Sequence, residues 1–322
     1  MPKKFINKNQ IIGVSGYSGF IGKNLIYQLK LRDFKKIYLI SRNSKLSFKN
    51  FENVELINVG NKYEKLEKFR KKINKIDVFY HLAYQNNLIT ATKNPKKDLN
   101  TNLNLIKKIL NNLKLQSTFI FTSSVSIYGS SEKKINEKKN LDPLSNYDLN
   151  KISCENYIKN FCNEYKINYV IFRLSNVYGV QKKNINNRGF LYTFIKKIYL
   201  SESIKLNTYG KYFRDYLYID DCVNGLIKGI FLKKKYLNMT FNLVNGKSYA
   251  LNSIFILTKK IIIKQYNIKS LSKLTYNVCD KILPTDLRNF FGSFNLYKTS
   301  NKWKPQVNLK SGIIKILDDI KK

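Results

Sequence analysis

The chain of 322 residues is strongly basic, with 59 Lys and Arg against 21 Asp and Glu and a formal net charge of +38. A hydrophobic fraction of 43% excludes a disordered chain and allows a substantial core. The Lys residues are spread along the whole chain, and no nucleic-acid-binding signature is visible. We therefore interpret the charge as compositional bias and expect no nucleic-acid partner; a polyanion-binding protein is the alternative.

The cysteines and the first residues of the chain indicate the cellular compartment in which the protein works. Cys154, Cys162, Cys222 and Cys279 form no C-x-x-C pair, and the chain has one His. This pattern predicts no metal site, no disulfide framework and a reducing environment. Residues 1–4 lead into a short strand-like segment, and the longest apolar runs are too short to span a bilayer. We expect a cytoplasmic protein without a membrane span.

The first elements predict a dinucleotide site. Residues 10–14 read as a buried strand, followed by a turn with Gly16, Gly19 and Gly22 and a helical pattern at 24–30. Glycines at this junction permit a tight turn and close approach to a pyrophosphate, which the helix N-terminus also attracts. An ordinary Gly-rich turn is the alternative.

The second strand, 37–40, ends at Ser41 and Arg42, where an acidic residue would bind the ribose of NAD; this favours NADP. Alternatively, Arg42 is a solvated cation.

Strands and helical segments alternate beyond this point. Further strands are predicted at 54–58, 77–83, 117–121, 169–173 and 241–243, and helices at 100–113, 190–200, 223–234, 251–265 and 309–320. This order predicts an α/β fold with a Rossmann-type, doubly wound parallel sheet of about seven strands. His81 lies at an apolar strand end, so we expect a buried core residue and not a ligand.

Polar side chains that are candidates for catalysis follow the fifth predicted strand. Ser123 and Ser124 come directly after it, where ligands of parallel sheets bind. Tyr147 and Lys151 are four residues apart, so on a helix they share one face, and the ammonium can stabilise the phenolate of a proton-transferring Tyr. A Ser-rich turn and an amphipathic surface helix are the alternatives.

Ordered motifs cover nearly the full length. They are SGYSGFIG at 15–22, HLA at 81–83, TSSVSIYG at 122–129, Glu137 with P-x-x-x-Y-x-x-x-K at 143–151, RLSNVYG at 173–179, RDYLYIDD at 214–221 and WKP at 303–305. In these motifs the chain resembles the extended short-chain dehydrogenase/reductase family, in particular its NAD-dependent epimerase/dehydratase branch, which modifies nucleotide sugars.

The resemblance implies roles for matching residues. Tyr147 would be the acid/base, Lys151 would hold the nicotinamide ribose, and Ser124, more than Ser123, would orient the reacting oxygen. The substrate's nucleotide diphosphate would contact Asn176 and Arg214, with Arg288 as a second cation. The implied contacts of NAD or NADP are Gly16, Gly19, Phe20, Ile21, Gly22, Ser41, Arg42, Leu82, Ala83, Tyr147 and Lys151.

Departures from the family pattern narrow the expected reaction. Val125 and Ser126 replace the Asp-Glu pair of members that dehydrate at C4–C6, so a 4,6-dehydratase is not expected. The Gly-Asp that meets adenine is not cleanly present at 58–61. We expect a nucleotide-sugar 4-epimerase or 4-ketoreductase; a catalytically silent binding protein is the alternative.

The resemblance also implies a domain division and an assembly. Residues 1–173, completed by about 215–244, would form the NAD(P)-binding domain, and 174–214 with 245–322 a smaller α/β cap for the substrate. The expected partner molecules are a nucleotide-diphosphate sugar and a second copy of the chain.

Overall fold

The computed structural model describes residues 9–32, 34–42, 52–60, 63–85, 88–181, 189–206, 208–276 and 282–322. Residues 1–4, Asn61 and Cys279, on which predictions were made, lie outside the described residues. The strands are β1 Ile11–Ser15, β2 Lys36–Ser41, β3 Val54–Asn58, β4 Val78–His81, β5 Thr118–Ser124, β6 Lys134–Ile135, β7 Asn168–Leu174, β8 Asn176–Tyr178, β9 Ile204–Leu206, β10 Phe213–Tyr218, β11 Met239–Leu243, β12 Ser248–Ala250, β13 Leu274–Tyr276 and β14 Phe291–Gly292. The α-helices are α1 Phe20–Lys30, α2 Arg70–Ile73, α3 Leu88–Lys93, α4 Pro95–Leu110, α5 Asn146–Glu164, α6 Phe190–Tyr199, α7 Ile219–Lys228, α8 Leu251–Tyr266, α9 Asn295–Asn301 and α10 Leu309–Lys321.

The main sheet has seven strands in the order β11-β7-β5-β4-β1-β2-β3. Strand β1 pairs in parallel with β2 and β4, β2 with β3, and β4 with β5. Strands such as β4 and β7 are almost continuously buried, as expected where helices cover both faces of a parallel sheet. The predicted α/β, Rossmann-type doubly wound sheet of about seven strands is confirmed.

Two predicted helices lie earlier in the chain than expected: α4 spans Pro95–Leu110 instead of 100–113, and α7 spans Ile219–Lys228 instead of 223–234. Strand β3 spans the predicted residues, whereas α1 begins at Phe20, earlier than predicted. Ser123 and Ser124 are the last residues of β5, not the residues after it. His81 is 1% exposed and stacks on Phe119 and Phe121 with ring centroids 5.6 and 5.9 Å away, so its predicted core position is confirmed.

The chain divides into two compact units. The first comprises residues 1–123, 146–172 and 226–240, and its apolar core is built around Phe79, Ile106 and Ile158. The second comprises 124–145, 173–225 and 241–322. This division differs from the expected domains chiefly at 124–145, which packs within the second unit. The assignment of cofactor and substrate binding to separate domains stays a prediction.

The second unit has small sheets. Strands β12, β10 and β8 form one of three strands, in which β10 is antiparallel to β12 and parallel to β8. A separate cluster of buried side chains joins Val125, Tyr128 and Ile135 to Val244 and Phe290.

The described ranges contain neither a membrane-spanning helix nor a cluster of metal-binding side chains. None of the helices there combines the length and apolar character needed to cross a membrane. No group of three or more His, Cys, Asp or Glu in those ranges is placed to hold a metal ion. Cys154, Cys162 and Cys222 are buried and free.

Candidate functional site

The Gly-rich turn of the first unit has the backbone that its sequence predicts. Gly16 has φ +75°, and a Cβ there would lie 2.5 Å from the backbone nitrogen of Ala83. A Cβ on Gly22 would collide with the carbonyl of Gly16, so this glycine lets α1 pack closely on the turn. Gly19 is the N-cap of α1, which begins at Phe20. The free N–H groups of this helix start, including Phe20 and Ile21, can therefore approach a pyrophosphate.

A cavity of ≈ 440 Å³ opens beside this turn. Its size is within the range of small-molecule sites. Among its lining residues are those predicted to contact a dinucleotide: Gly16, Gly19, Ser41, Arg42, Leu82 and Ala83. The structure thus brings together, in one cavity, residues from the ends of β1, β2 and β4.

The lining of the cavity also includes a cation and a phenol. Arg42 is exposed at the end of β2, and Tyr63 lines the same cavity. Burial raises the pKa of Tyr63, and the positive charge of Arg42 opposes that rise. A guanidinium and a phenol are both suited to a phosphate on the adenosine ribose.

Lys151 is a buried cation on α5. It is 3% exposed, and its Nζ donates a hydrogen bond to the Thr122 carbonyl at 2.9 Å. Its Nζ also lies 3.4 Å from the ring centroid of Tyr84 and 4.9 Å from that of Phe121. Burial lowers the pKa of Lys151 to about 7, although Cys154 and two carboxylates oppose this. The side chain can therefore gain or lose its proton near neutral pH.

Tyr147 lies one helical turn before Lys151, as the spacing predicts. The Lys151 Nζ is 5.8 Å from the Tyr147 ring centroid. The Tyr147 ring meets Tyr84 edge-on, with centroids 5.7 Å apart and planes at 84°. An ammonium this close stabilises a phenolate, so the pair can transfer a proton.

The two serines at the end of β5 differ. The Ser124 Oγ accepts a hydrogen bond at 3.1 Å from Ser126 N and so caps the short 3₁₀ helix Val125–Tyr128. The Ser123 Oγ is buried without a hydrogen-bond partner in the described part of the chain. Either hydroxyl retains a proton to donate, and their roles stay predictions.

Arg214, on β10 of the second unit, is fixed by backbone carbonyls. Its Nη2 donates to the carbonyls of Thr285 and Asp286 at 2.9 and 3.1 Å, and its Nη1 to Phe213 at 3.2 Å. Burial lowers the pKa of Arg214, and the positive charge of Arg288 adds to this. Two guanidinium groups placed together favour an anionic ligand.

Asn176 and Arg214 belong to the same three-stranded sheet. Asn176, on β8, pairs with Tyr216 of β10 and is exposed. Next to Arg214, the buried Asp215 accepts hydrogen bonds from the N–H groups of Asn245 and Gly246 at 2.8 and 2.7 Å. Burial raises the pKa of Asp215 to about 6, although those two hydrogen bonds lower the pKa. The structure therefore groups Asn176, Arg214 and Arg288 in the second unit.

Several residues that line the cavity were missed from the sequence. The clearest are Tyr63, Tyr84, Gln85 and Asn102. Asn102 on α4 accepts a hydrogen bond from the Gln85 N–H at 2.8 Å and so fixes the loop after β4. The sequence offered one signal for Tyr84, which is that this aromatic residue directly follows the HLA motif.

The parallel sheet, the glycine turn and the cavity give this chain the architecture of dinucleotide-binding α/β proteins. The model of the NAD dependent epimerase/dehydratase family matches residues 12–236. The chain therefore belongs to the NAD dependent epimerase/dehydratase family.

Individual relatives show the breadth of that family. A Methanocaldococcus jannaschii protein, provisionally named a UDP-glucose 4-epimerase, is 26% identical over 97% of this chain and 98% of its own. A dTDP-D-glucose 4,6-dehydratase of Dictyostelium discoideum is 26% identical over 79% of this chain and 62% of its own. The solved UDP-glucuronic acid 4-epimerase of Bacillus cereus, in complex with UDP-glucuronic acid and NAD, shares the fold. Its TM-score is 0.78 at 23% identity, over 97% of this chain and 99% of that chain.

Proposed function

We propose that this chain is an NAD(P)-dependent oxidoreductase of nucleotide-diphosphate sugars, acting on a sugar hydroxyl or ketone as a 4-epimerase or 4-ketoreductase. The observation that carries the proposal is Lys151, a buried ammonium 5.8 Å from the Tyr147 ring centroid, in the unit that holds the dinucleotide-sized cavity. A binding protein has no need of a paired proton donor and charge.

The residues present fit a dinucleotide. The turn at Gly16 and Gly22 has no room for a Cβ, and the helix start at Phe20 and Ile21 can take the pyrophosphate. Ser41 and Arg42 would hold the adenosine end, and Leu82, Ala83 and Lys151 the nicotinamide end. When bound, the nicotinamide ring would accept or supply a hydride.

In this proposal Tyr147 takes a proton from the sugar hydroxyl, or gives one to the ketone oxygen. The Lys151 ammonium stabilises the phenolate, which is the form of Tyr147 that takes the proton and the form that remains after the phenol has given its proton away. Ser124, with Ser123 as the second choice, orients the reacting oxygen by hydrogen bonding. Arg214, Arg288 and Asn176 bind the nucleotide diphosphate, where a guanidinium can contact phosphate oxygens in pairs.

Features outside the Tyr147–Lys151 pair support the choice between reactions and cofactors. The proposal includes a preference for NADP over NAD because Arg42, at the end of β2, lines the cavity together with Tyr63. Val125 and Ser126 supply no second acid and base, so we expect no 4,6-dehydratase activity although one relative carries that name. We also propose a homodimer, on the resemblance alone.

The test is incubation of the purified protein with a panel of UDP- and dTDP-sugars and 4-keto sugars, with NAD and NADPH supplied separately. Stoichiometric NADPH consumption defines a reductase, and interconversion without net consumption defines an epimerase. Absence of turnover across the panel would contradict the proposed function.

A further inference from the structure

Tyr84 is a residue that neither the motifs nor the proposed chemistry assigns. It follows the HLA motif at the end of β4, and its side chain lines the cavity. Its backbone is restrained because the neighbouring Gln85 N–H donates to Asn102. The ring itself is partly buried and contacts Lys151 and Tyr147, so it is not a loosely placed surface side chain.

The ring of Tyr84 contacts both members of the proton-transfer pair. Its centroid is 3.4 Å from the Lys151 Nζ, closer than the ring of Phe121 at 4.9 Å or that of Tyr147 at 5.8 Å. It also meets the Tyr147 ring edge-on at 5.7 Å. A cation is attracted to the negative face of an aromatic ring, and edge-to-face contact is a preferred arrangement of two rings.

A buried ammonium needs more than the single carbonyl contact that Thr122 provides. Within the described ranges Lys151 forms no ion pair with a carboxylate at 4.0 Å or less. The charged and titratable groups that act on it or that it acts on are Asp98 of α4, Cys154 and Glu155 of α5, and His81 of β4. The Tyr84 face is thus a principal neutral partner of the charge.

The ring of Tyr84 also stays neutral. Burial raises the pKa of its phenol above the ordinary value, and the nearby Cys154, Tyr147 and Asp98 act in the same direction. A protonated phenol keeps its π-face available to the cation at every pH at which the enzyme would work.

We propose that Tyr84 is a positioning residue: its ring face holds the Lys151 ammonium in its charged form, and its edge contact holds the Tyr147 ring beside that charge. This inference rests on the proposed function, in which Tyr147 transfers the proton. A ring that merely fills the cavity wall would have no effect on the charge of Lys151.

The test uses NMR of protein labelled with ¹³C-lysine, free of substrate. The Lys151 Cε signal is assigned by its loss in Lys151→Met, and its proton shift and titration midpoint are measured. In the wild type the ring current of Tyr84 moves the Lys151 Hε signal upfield of the other lysines. Absence of that upfield shift overturns the proposal without any variant of Tyr84.

Two matched substitutions separate the ring from its bulk. Tyr84→Phe keeps the aromatic face, so the upfield shift and the midpoint are retained. Tyr84→Leu removes the face, so the upfield shift falls to the part caused by Phe121 and Tyr147. The Lys151 midpoint falls by about one pH unit, because the charged form loses a partner. An unchanged or raised midpoint in Tyr84→Leu overturns the proposal.

Activity provides a second and distinct readout. With a substrate identified from the panel, Tyr84→Leu lowers kcat about tenfold and changes KM little, whereas Tyr84→Phe restores most of kcat. Equal losses for both variants contradict positioning by the ring face. Failure of the panel leaves the NMR result intact, and a negative NMR result leaves turnover by Tyr147 intact, so the two proposals fail separately.

Discussion

Lys151 in the first unit is buried and Arg214 in the second is partly buried, and the two cations are held in different ways. Lys151 has one carbonyl and aromatic faces around it, and burial brings its pKa to about 7. Arg214 donates to three backbone carbonyls. Neither forms an ion pair with a carboxylate within the residues described here.

The difference between the two side chains matches two kinds of chemistry. A lysine can change its charge when desolvated, whereas an arginine stays charged and presents several donors in a plane. The first unit therefore holds a charge suited to proton transfer, and the second a permanent charge suited to binding phosphate. Four predictions test this contrast.

The largest effect is expected at Tyr147. Tyr147→Phe removes the proton donor while keeping the ring that contacts Tyr84, so turnover should fall by about 10²–10⁴-fold. Cofactor binding, measured by NADPH fluorescence, should remain. Tyr157→Phe, on the same helix, is the matched control and should retain wild-type turnover. A Tyr147→Phe enzyme with the wild-type rate would remove the Tyr assignment.

Replacing each cation by the other type of basic residue tests the difference between the two sites. Lys151→Arg keeps a charge that cannot be lost, in a site shaped for an ammonium, and should lower kcat by about 10–100-fold. Arg214→Lys keeps a charge but loses paired phosphate contacts, and should raise KM for the nucleotide sugar about tenfold with a smaller change in kcat. Steady-state kinetics distinguishes the patterns. A kcat effect at Arg214 and a KM effect at Lys151 would reverse the assignment of the two regions.

How far the sequence could predict these regions depends on how local their contacts are. The turn from Gly16 to Gly22 lies within one strand-turn-helix unit, so its spacing alone indicated both backbone and ligand class. The pair Tyr147 and Lys151 is likewise set by the helical repeat.

Long-range contacts gave no such signal. Tyr84 meets Lys151 because β4 and α5 converge, and Arg214 meets Thr285 because a loop some seventy residues later folds onto β10. The hydrophobic pattern predicts that these elements exist, but it does not specify which side chains they bring together. This is why the aromatic contacts of Lys151 and the backbone contacts of Arg214 could not be predicted from the sequence.

The pH dependence of stability should also separate the two cations. The folded pKa of Lys151 is about 7 against an ordinary value of 10.5, so the unfolded chain binds more protons between those values. The free energy of unfolding contributed by this group therefore rises with pH across that window. Lys151→Met lacks the contribution, so its stability relative to wild type should be highest at pH 6 and decline towards pH 10.

Urea denaturation at pH 6, 8 and 10 measures this difference, which can reach several kcal/mol because one pKa unit corresponds to about 1.4 kcal/mol. Arg214→Met is the control, and its difference from wild type should be flat over the same range because arginine stays protonated. A flat profile for Lys151→Met would show that Lys151 titrates as it does in water.

The smallest predicted effect concerns the choice of cofactor. Arg42→Gln removes a positive charge from the lining of the cavity, so affinity for NADPH should fall about tenfold while affinity for NADH stays within about twofold. Fluorescence titration with both cofactors measures this. Equal losses for NADPH and NADH would assign Arg42 to general attraction of anions and leave NADP unsupported.

The most direct test of the central claim follows the hydride itself. Nucleotide sugars of the panel that carry deuterium at C4 are incubated with the protein and unlabelled cofactor, and the products are examined by mass spectrometry and NMR. The account predicts deuterium on the nicotinamide, or retained at an inverted C4, in wild type and Tyr157→Phe but strongly reduced in Tyr147→Phe. Deuterium that stays at an uninverted C4 in every sugar, with none on the cofactor, would contradict it.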